Sequence, residues 1–450
     1  MVYLTEDNIA RIIKAIDNEE IFTWRELFLD LHPTDQVNLF KMLEPDRRRI
    51  IYRHLSSEEF ADVFQGLEFR EQKEVLLELE YPYAVGMLNN MYSDDAADFL
   101  GEIDDLTAKK FLENMDDEEA QDIQDLLEYP DETAGAIMTT EYVAVEAHET
   151  VAEVLEKLRA EAPDAETIYY LYVIDNNEKL VGVISLRDLI VAGLDQRIKE
   201  IMNTNAISVS VLKDQEEVAK VIKDYNFLAV PVVDSHGILM GIVTVDDVID
   251  VLEEETTEDF GDISAARGAV DLDMVSMEAA KRRLPWLVLL LFIGMITAGI
   301  IGSFQETLGK FTILAIFIPL IAGMGGNIGT QSLAVVVRGL ALEKFDRTRV
   351  VNLIKREVGT GIIIGVVCGV LVSLISQVVA GGHPILGFIV GFSLFCVLVV
   401  STLIGTVIPL IIHYFKLDPA VASGPFITTV NDVVGLTIYF SIATMLLNYL

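Results

Sequence analysis

The chain has 450 residues, with 33 lysines and arginines against 70 aspartates and glutamates, a formal net charge of −37, and 52% hydrophobic residues. From Leu284 onward there are eight basic and six acidic side chains, which leaves 25 basic and 64 acidic residues before it, a net of −39. An acidic soluble half is joined to a nearly neutral apolar half, which excludes a simple soluble enzyme. Nucleic acid is not expected as a partner either, because phosphate contacts need a basic face. Roughly two to four domains are expected at about 100–200 residues each.

Only Cys368 and Cys396 occur, both in apolar runs, so neither a disulfide framework nor a cysteine-based zinc site is expected. The first residues are mixed polar and acidic, without the apolar core of a secretion signal. The acidic half is therefore expected in the cytoplasm.

Residues 1–131 read as short amphipathic helices with acidic caps. Ser56 and Glu59 form a capping box ahead of Phe60, Val63 and Phe64. Similar openings recur at His32–Asp35, Ser93–Asp95 and Asp116–Glu119. Leu31 to Leu55 and Met91 to Met115 are each 24 residues apart, but the 36 residues from Leu55 to Met91 break a strict period. This predicts an irregular N-terminal α-helical superhelix of stacked helix pairs, most of whose charge is solvated surface.

A cleaner repeat follows at an offset of 59. Leu171–Asp175 (LYVID) matches Val230–Asp234 (VPVVD), and Gly182–Asp188 (GVISLRD) matches Gly241–Asp247 (GIVTVDD). Ile137-Met138 and Ile201-Met202 open the two copies. Each copy reads as strand, helix, two short β-runs and a closing helix, and the whole resembles a tandem α/β CBS-domain pair over residues 132–257. In that family the cleft between copies binds adenine nucleotides in some members, with the Ser/Thr-x-x-Asp step near the ribose. The resemblance implies Ser185, Asp188, Thr244 and Asp247 as nucleotide contacts, with Tyr170 and Phe227 for stacking. A pair that binds nothing and only relays a signal is the alternative.

Residues 258–284 read as a connecting helix. Five later stretches are apolar and long enough to cross about 30 Å of hydrocarbon: Pro285–Phe304, Phe311–Leu342, Glu357–Ala380, Pro384–Phe415 and Pro419–Leu450. Basic residues alternate between their connectors. Lys281, Arg282 and Arg283 precede the first, Arg338 to Arg356 surround the connector after the second, and Lys416 follows the fourth. The other connectors hold only Lys310. The positive-inside rule then predicts a cytoplasmic N-terminus and an external C-terminus. Five spans do not divide into two equal inverted repeats, so a pore on the axis of a homodimer is the simpler expectation.

Ionisable groups inside a bilayer are costly and mark functional sites. Asp432 is the one carboxylate that reads as deep in a span, downstream of Gly424-Pro425 and beside Thr428, Thr429 and Asn431. The second span carries Pro319 and then Gly323, Gly325, Gly326, Asn327, Gly329, Thr330, Gln331 and Ser332. Glycines allow close backbone approach, and the amides and hydroxyls would be expensive against lipid. Glycine-mediated helix packing is the competing reading of the glycines. Candidate pore-lining residues are Gly325, Gly326, Asn327, Thr330, Gln331, Gly424, Thr428 and Asn431.

The Gly-x-Gly-Gly-Asn-x-Gly-x-Gln-Ser run, the Asp-Val-x-Gly-Leu-x-Ile-Tyr run from Asp432 to Tyr439, and the order of helical, CBS and five-span parts resemble the MgtE family of bacterial magnesium channels. The resemblance covers essentially the whole chain. It implies a homodimer in a cell membrane whose second and fifth spans line the pore, with Asp432 holding hydrated Mg²⁺. It also implies regulatory Mg²⁺ sites among the helical domain, the CBS pair and a plug helix. The matching positions are Asp95, Asp214, Glu216, Asp247, Asp250, Glu255, Glu258, Asp259 and Asp418, with Glu59 besides. Lys223 and Asn226 depart from the pattern near the CBS sites, as does Gly424 before Pro425.

A passive Mg²⁺ channel closed by cytoplasmic Mg²⁺ is the expected function. No P-loop and no nucleophile–base constellation points to an enzyme or a pump. A cation-coupled divalent exchanger, or a membrane receptor that senses Mg²⁺ or nucleotide without transport, are the alternatives.

Overall fold

The computed structural model describes residues 4–162, 165–266, 274–342, 347–379, 384–416 and 422–446. The chain separates into two compact units, Met1–Leu252 and Glu253–Leu450.

The first unit opens on ten short helices. They are α1 (Glu6–Asp17), α2 (Ile21–Leu29), α3 (Pro33–Lys41), α4 (Pro45–His54) and α5 (Ser57–Gln65), then α6 (Phe69–Leu76), α7 (Tyr81–Leu88), α8 (Ser93–Glu102), α9 (Asp105–Leu112) and α10 (Asp117–Leu127). Prolines at the first turns of α3, α4 and α7 punctuate the chain where their missing N–H costs no helical bond. The capping box at Ser56–Glu59 is present and starts α5. Neighbouring helices pack as α1 on α2, α3 on α5, α5 on α7 and α8 on α10. Their apolar faces, including Trp24, Phe28, Phe40, Phe60, Phe64 and Phe99, merge into one core that also takes in Val218, Val230 and Val243.

The offset of 59 is a structural repeat. In the first copy, β1 (Tyr142–Glu146) pairs in parallel with β2 (Thr167–Ile174), and β2 pairs antiparallel with β3 (Leu180–Ser185). In the second, β4 (Val209–Ser210) pairs in parallel with β5 (Ala229–Val233), and β5 antiparallel with β6 (Leu239–Thr244). Tyr170 sits opposite Ser185 in one sheet as Ala229 sits opposite Thr244 in the other. The helices of the first copy are α11 (Val151–Glu161) and α12 (Leu186–Val191), followed by the short α13 (Ile198–Ile201). Those of the second are α14 (Gln215–Tyr225) and α15 (Val245–Ile263). Residues 258–284 are shared between the end of α15 and the start of the next helix, with 267–273 outside the described residues.

Among the described residues, five helices are long and apolar enough to cross a membrane. They are α16 (Ser276–Ser303), α18 (Ile318–Leu342), α19 (Arg347–Val379), α20 (Pro384–Tyr414) and α21 (Gly424–Leu446). A short α17 (Gln305–Lys310) and a 3₁₀ turn, Thr312–Phe317, join α16 to α18. Two starts differ from expectation. The basic Lys281-Arg282-Arg283 run and the first span form one helix, and α19 begins ten residues before Glu357.

Helix α20 is the centre of this unit, packing on α18, α19 and α21. Small residues permit each approach: a Cβ at Gly369 would come 2.7 Å from the Gly391 carbonyl oxygen, and one at Gly361 would come 2.8 Å from Thr402 Oγ1. Leu394, Val397, Leu398, Leu436, Tyr439 and Phe440 form its core, and the buried Tyr439 hydroxyl donates to the Leu314 carbonyl at 2.9 Å.

Candidate functional site: an intramembrane carboxylate and an acidic cluster

In the membrane unit, α18 and α21 cross through the expected glycines. The Gly-rich run does not break α18, which is helical throughout. Its glycines act in packing: a Cβ at Gly326 would lie 2.7 Å from Thr428 Cγ2, and one at Gly325 would lie 3.1 Å from both Ser401 Oγ and Val397 Cγ1. Gly325, Gly326 and Gly329 are buried, whereas Asn327 and Gln331, four residues apart and so on one helical face, are exposed with Arg338. An exposed amide stripe on an apolar helix asks for water or a polar partner rather than lipid.

Asp432 lies half-buried on α21, and among the described residues nothing pairs with it or donates to its carboxylate. Three threonines spend their hydroxyl hydrogens on their own helices: Thr330 Oγ1 donates to the Asn327 carbonyl at 2.9 Å, Thr428 Oγ1 to Gly424 at 2.9 Å and Thr429 Oγ1 to Pro425 at 2.8 Å. Each oxygen keeps free lone pairs, the polarity that suits the outward hydrogens of a hydrated cation. Asn431 differs from expectation. It is fully buried, wedged against Gly329, and among the described residues neither end of its amide has a hydrogen-bond partner. Gly424 is the first residue of α21, where a Cβ would sit 3.4 Å from the Ile263 carbonyl at the end of α15. Asp418 lies outside the described residues.

The first unit gathers a second group of carboxylates. Helix α8 begins at Ser93, and Glu141 caps it from a distance, accepting from the Ser93 N–H at 3.1 Å and the Ser93 hydroxyl at 2.9 Å. Helix α15 opens at Thr244, whose N–H donates to Asp247 Oδ2 at 3.1 Å. The Thr244 hydroxyl lies 2.6 Å from Asp247 Oδ2 and 2.5 Å from Asp246 Oδ1, and its single hydrogen serves one of them at a time. Glu166, Asp246 and Asp247 each bring a carboxylate oxygen within 4.8 Å of the others.

Asp94 and Asp95 face the same group. Burial pushes the Asp94 carboxyl well above its ordinary range, reinforced by Asp95, Asp247 and Glu166. Burial, then Asp247, pushes Asp95 up to about 7. The same two causes push Glu166 up to about 8. Burial raises Asp247 as well, against the pull of its Thr244 hydrogen bonds. Each shift reflects burial and like-charged neighbours that disfavour the ionised form. Glu166 Oε2 is buried with no hydrogen-bond partner among the described residues. A crowd of hard oxygens with one to spare fits a divalent cation such as Mg²⁺, which prefers oxygen ligands.

The expected regulatory residues divide. Asp95 and Asp247 come together, and Asp250 follows one turn later on α15, with Glu255, Glu258 and Asp259 further along it. Asp214 is the N-cap of α14, accepting from the Glu216 N–H at 2.9 Å, and Glu216 pairs with Lys220 at 3.1 Å. Both oxygens of Glu59 are engaged within the helical domain. Arg25 holds Oε1 at 2.7 Å and the Ser56 N–H holds Oε2 at 2.8 Å, and those bonds outweigh burial to keep its carboxyl below the ordinary range. Sequence reasoning missed Asp94, Glu166 and Asp246. The doubled aspartates at the starts of α8 and α15 were a signal for two of them; Glu166 had none, since only folding brings it to α15.

The aromatic residues expected at the CBS cleft also meet. Tyr170 and Phe227 stand edge to face with centroids 6.4 Å apart, and Tyr225 stacks on Phe227 at 5.4 Å. Asn226, in the left-handed region at φ 54°, ends α14 and turns the chain into Phe227. The Ser185 hydroxyl donates to Asp188 Oδ2 at 2.6 Å and accepts from the Asp188 N–H at 3.1 Å. Thr244 and Asp247, the equivalent pair in the second copy, lie instead among the carboxylates, a poor setting for a phosphate.

Known proteins supply the family. Residues 318–442 match the MgtE profile, described as a divalent cation transporter; residues 31–132 match the MgtE intracellular N domain; residues 134–195 and 198–254 match the CBS domain. A magnesium transporter MgtE of Bacillus subtilis is 42% identical over 99% of this chain and 98% of its own length. One from Enterococcus faecalis is 44% identical over the same shares. The crystal structure of the soluble part of a magnesium transporter, 47% identical, covers 56% of this chain and 98% of its own with a TM-score of 0.54. The cytosolic domain of the Mg²⁺ channel MgtE in complex with ATP, 40% identical, covers 54% of this chain and 99% of its own with a TM-score of 0.51. With its helical domain, CBS pair and five apolar helices all accounted for, the chain belongs to the MgtE family.

Proposed function

We propose that the chain is a Mg²⁺-selective channel of the cell membrane that admits Mg²⁺ passively and is closed by cytoplasmic Mg²⁺. Its working parts are residues 1–131 as sensor, 132–257 as CBS pair, 258–284 as connector and 285–450 as pore, with the N-terminus cytoplasmic and the C-terminus outside. The observation that carries this reading is Asp432, an intramembrane carboxylate left uncompensated among the described residues, on a helix packed against the amide-bearing α18. In a homodimer two such carboxylates meet near the axis and hold a hydrated Mg²⁺ through its water, since this ion sheds its shell reluctantly. At about 2.3 kcal/mol per charge per 100 mV, a divalent ion moving inward gains roughly 4.6 kcal/mol, so no ATP hydrolysis is needed.

Closure follows from the acidic cluster. Mg²⁺ among Asp94, Asp95, Glu166, Asp246 and Asp247 relieves their mutual repulsion and draws α8 toward the start of α15, a differential affinity that favours the closed state. The residues of α15 beyond Asp250, together with Asp418, are the proposed further sites along the connector. An adenine nucleotide, as in the ATP complex of the relative, is proposed at Tyr170, Phe227, Ser185 and Asp188. Mg²⁺ influx into liposomes containing the full-length protein tests the pore. Asp432→Ala should abolish influx while the protein elutes as wild type does, and near-normal influx refutes the assignment.

A further inference from the structure

Asp432 is not the only carboxylate set inside an apolar helix. Glu357 lies ten residues into α19 and is 6% exposed. Its Oε1 accepts from Arg356 Nε at 3.2 Å and Nη2 at 3.1 Å. Its Oε2 accepts from the Ser332 hydroxyl at 3.2 Å, and Ser332, on α18, is 3% exposed. Burying a carboxylate is expensive unless its oxygens are answered; here Arg356 answers one oxygen from the same helix and Ser332 answers the other from α18.

The place of this bond in the bundle gives it a role. Helix α19 is locked to α20 by glycines, Gly361 against Thr402, Gly365 against Phe395 and Gly369 against Gly391. No glycine of α19 meets α18 among the described residues. Ser332 stands on the buried face of α18, directly after Gln331, whose amide is exposed with that of Asn327. A helix is held in azimuth by what its buried face grips, and this hydrogen bond grips α18 at the level of its polar stripe.

We propose that Glu357 is a positioning residue for the ion path: through Ser332 it fixes the rotation of α18, and with it the direction in which Asn327 and Gln331 present their amides. This rests on the channel reading above. A charged acceptor makes the tie stronger than a neutral one, and Arg356 compensates the charge at 3.1 Å.

Full-length variants in liposomes test it, with influx of Mg²⁺ and of Ca²⁺ measured in parallel. Glu357→Ala and Ser332→Ala should each lower the Mg²⁺ to Ca²⁺ influx ratio by about tenfold, the scale of one charge-assisted hydrogen bond. The double variant should be no worse than either single change. Glu357→Gln, whose amide carbonyl still accepts from Ser332, should restore most of the ratio. An unchanged ratio in Ser332→Ala, additive losses in the double variant, or a Glu357→Gln channel as impaired as Glu357→Ala each overturn the proposal. If Glu357→Ala does not fold, Ser332→Ala and Glu357→Gln decide alone. Wild-type liposomes and Asp432→Ala separate the two claims: no wild-type influx defeats the channel reading, whereas normal influx lost in Asp432→Ala but indifferent to Ser332 defeats only this one.

Discussion

Gly329 on α18 and Asn431 on α21 touch so closely that any Cβ at Gly329 would overlap the Asn431 amide nitrogen. The same glycine receives Gly405 of α20 against its carbonyl oxygen, so three helices cross at one residue without a side chain. A Cβ at Gly323, nearly two turns earlier on α18, would meet nothing within 4 Å among the described residues.

Gly329→Ala should therefore destabilise the membrane unit by about 1–3 kcal/mol, the usual cost of overpacking a tight contact, and Gly323→Ala should not. Thermal unfolding of the two variants in detergent checks this. Equal midpoints for both would show that the crossing yields more easily than its packing implies.

The acidic cluster predicts a pH dependence. Asp95 and Glu166 have folded values near 7 and 8, above those of an unfolded chain. Without divalent cation the folded unit therefore binds more protons than the unfolded one between those values, and its stability falls as pH rises from the ordinary carboxylate range, about 4, to about 7–8, above which the loss is complete. Protons and Mg²⁺ compete for the same oxygens, so Mg²⁺ affinity should rise from about pH 6 to about pH 8, with protons released on binding. Calorimetric titration of the full-length protein in buffers of different ionisation enthalpy measures both. A flat affinity across the window would mean that these carboxylates do not hold the ion.

Glu59 should behave as a structural residue. Glu59→Gln weakens the Arg25 ion pair and the reciprocal cap on α5, and a loss of about 1 kcal/mol is expected, the scale of a helix cap. Mg²⁺ affinity should stay at the wild-type value. A variant with normal stability and weakened Mg²⁺ binding would return Glu59 to the list of ligands.

Phe227→Ala should weaken binding of a fluorescent ATP analogue by about tenfold or more, as base stacking on an aromatic ring contributes about 1–3 kcal/mol. Asp247→Asn should change it far less, because the proposed nucleotide contacts of the first copy are Ser185 and Asp188. Comparable losses in both variants would place nucleotide in the second copy's cleft after all.

Capping boxes, the offset of 59 and five apolar runs were visible in the amino-acid order because each depends on neighbours a few residues apart, or on a period that folding preserves. The Ser56–Glu59 box and the matching registers of β2–β3 and β5–β6 are cases of that kind. Asp432 stood out for a similar reason: a carboxylate in an apolar run is anomalous wherever the chain goes.

Side-chain partnership was decided by tertiary structure alone. Glu166 reaches Asp246 and Asp247 across some eighty residues, Arg25 pairs with Glu59, and Ser332 finds Glu357 on the next long helix. Composition marks these groups as polar or charged, but whether each is a ligand, a cap or a tie depends on which atoms arrive within hydrogen-bond distance. Asn431 makes the point most sharply: local sequence gives it the same claim to the ion path as its neighbour Asp432, and helix packing encloses it completely.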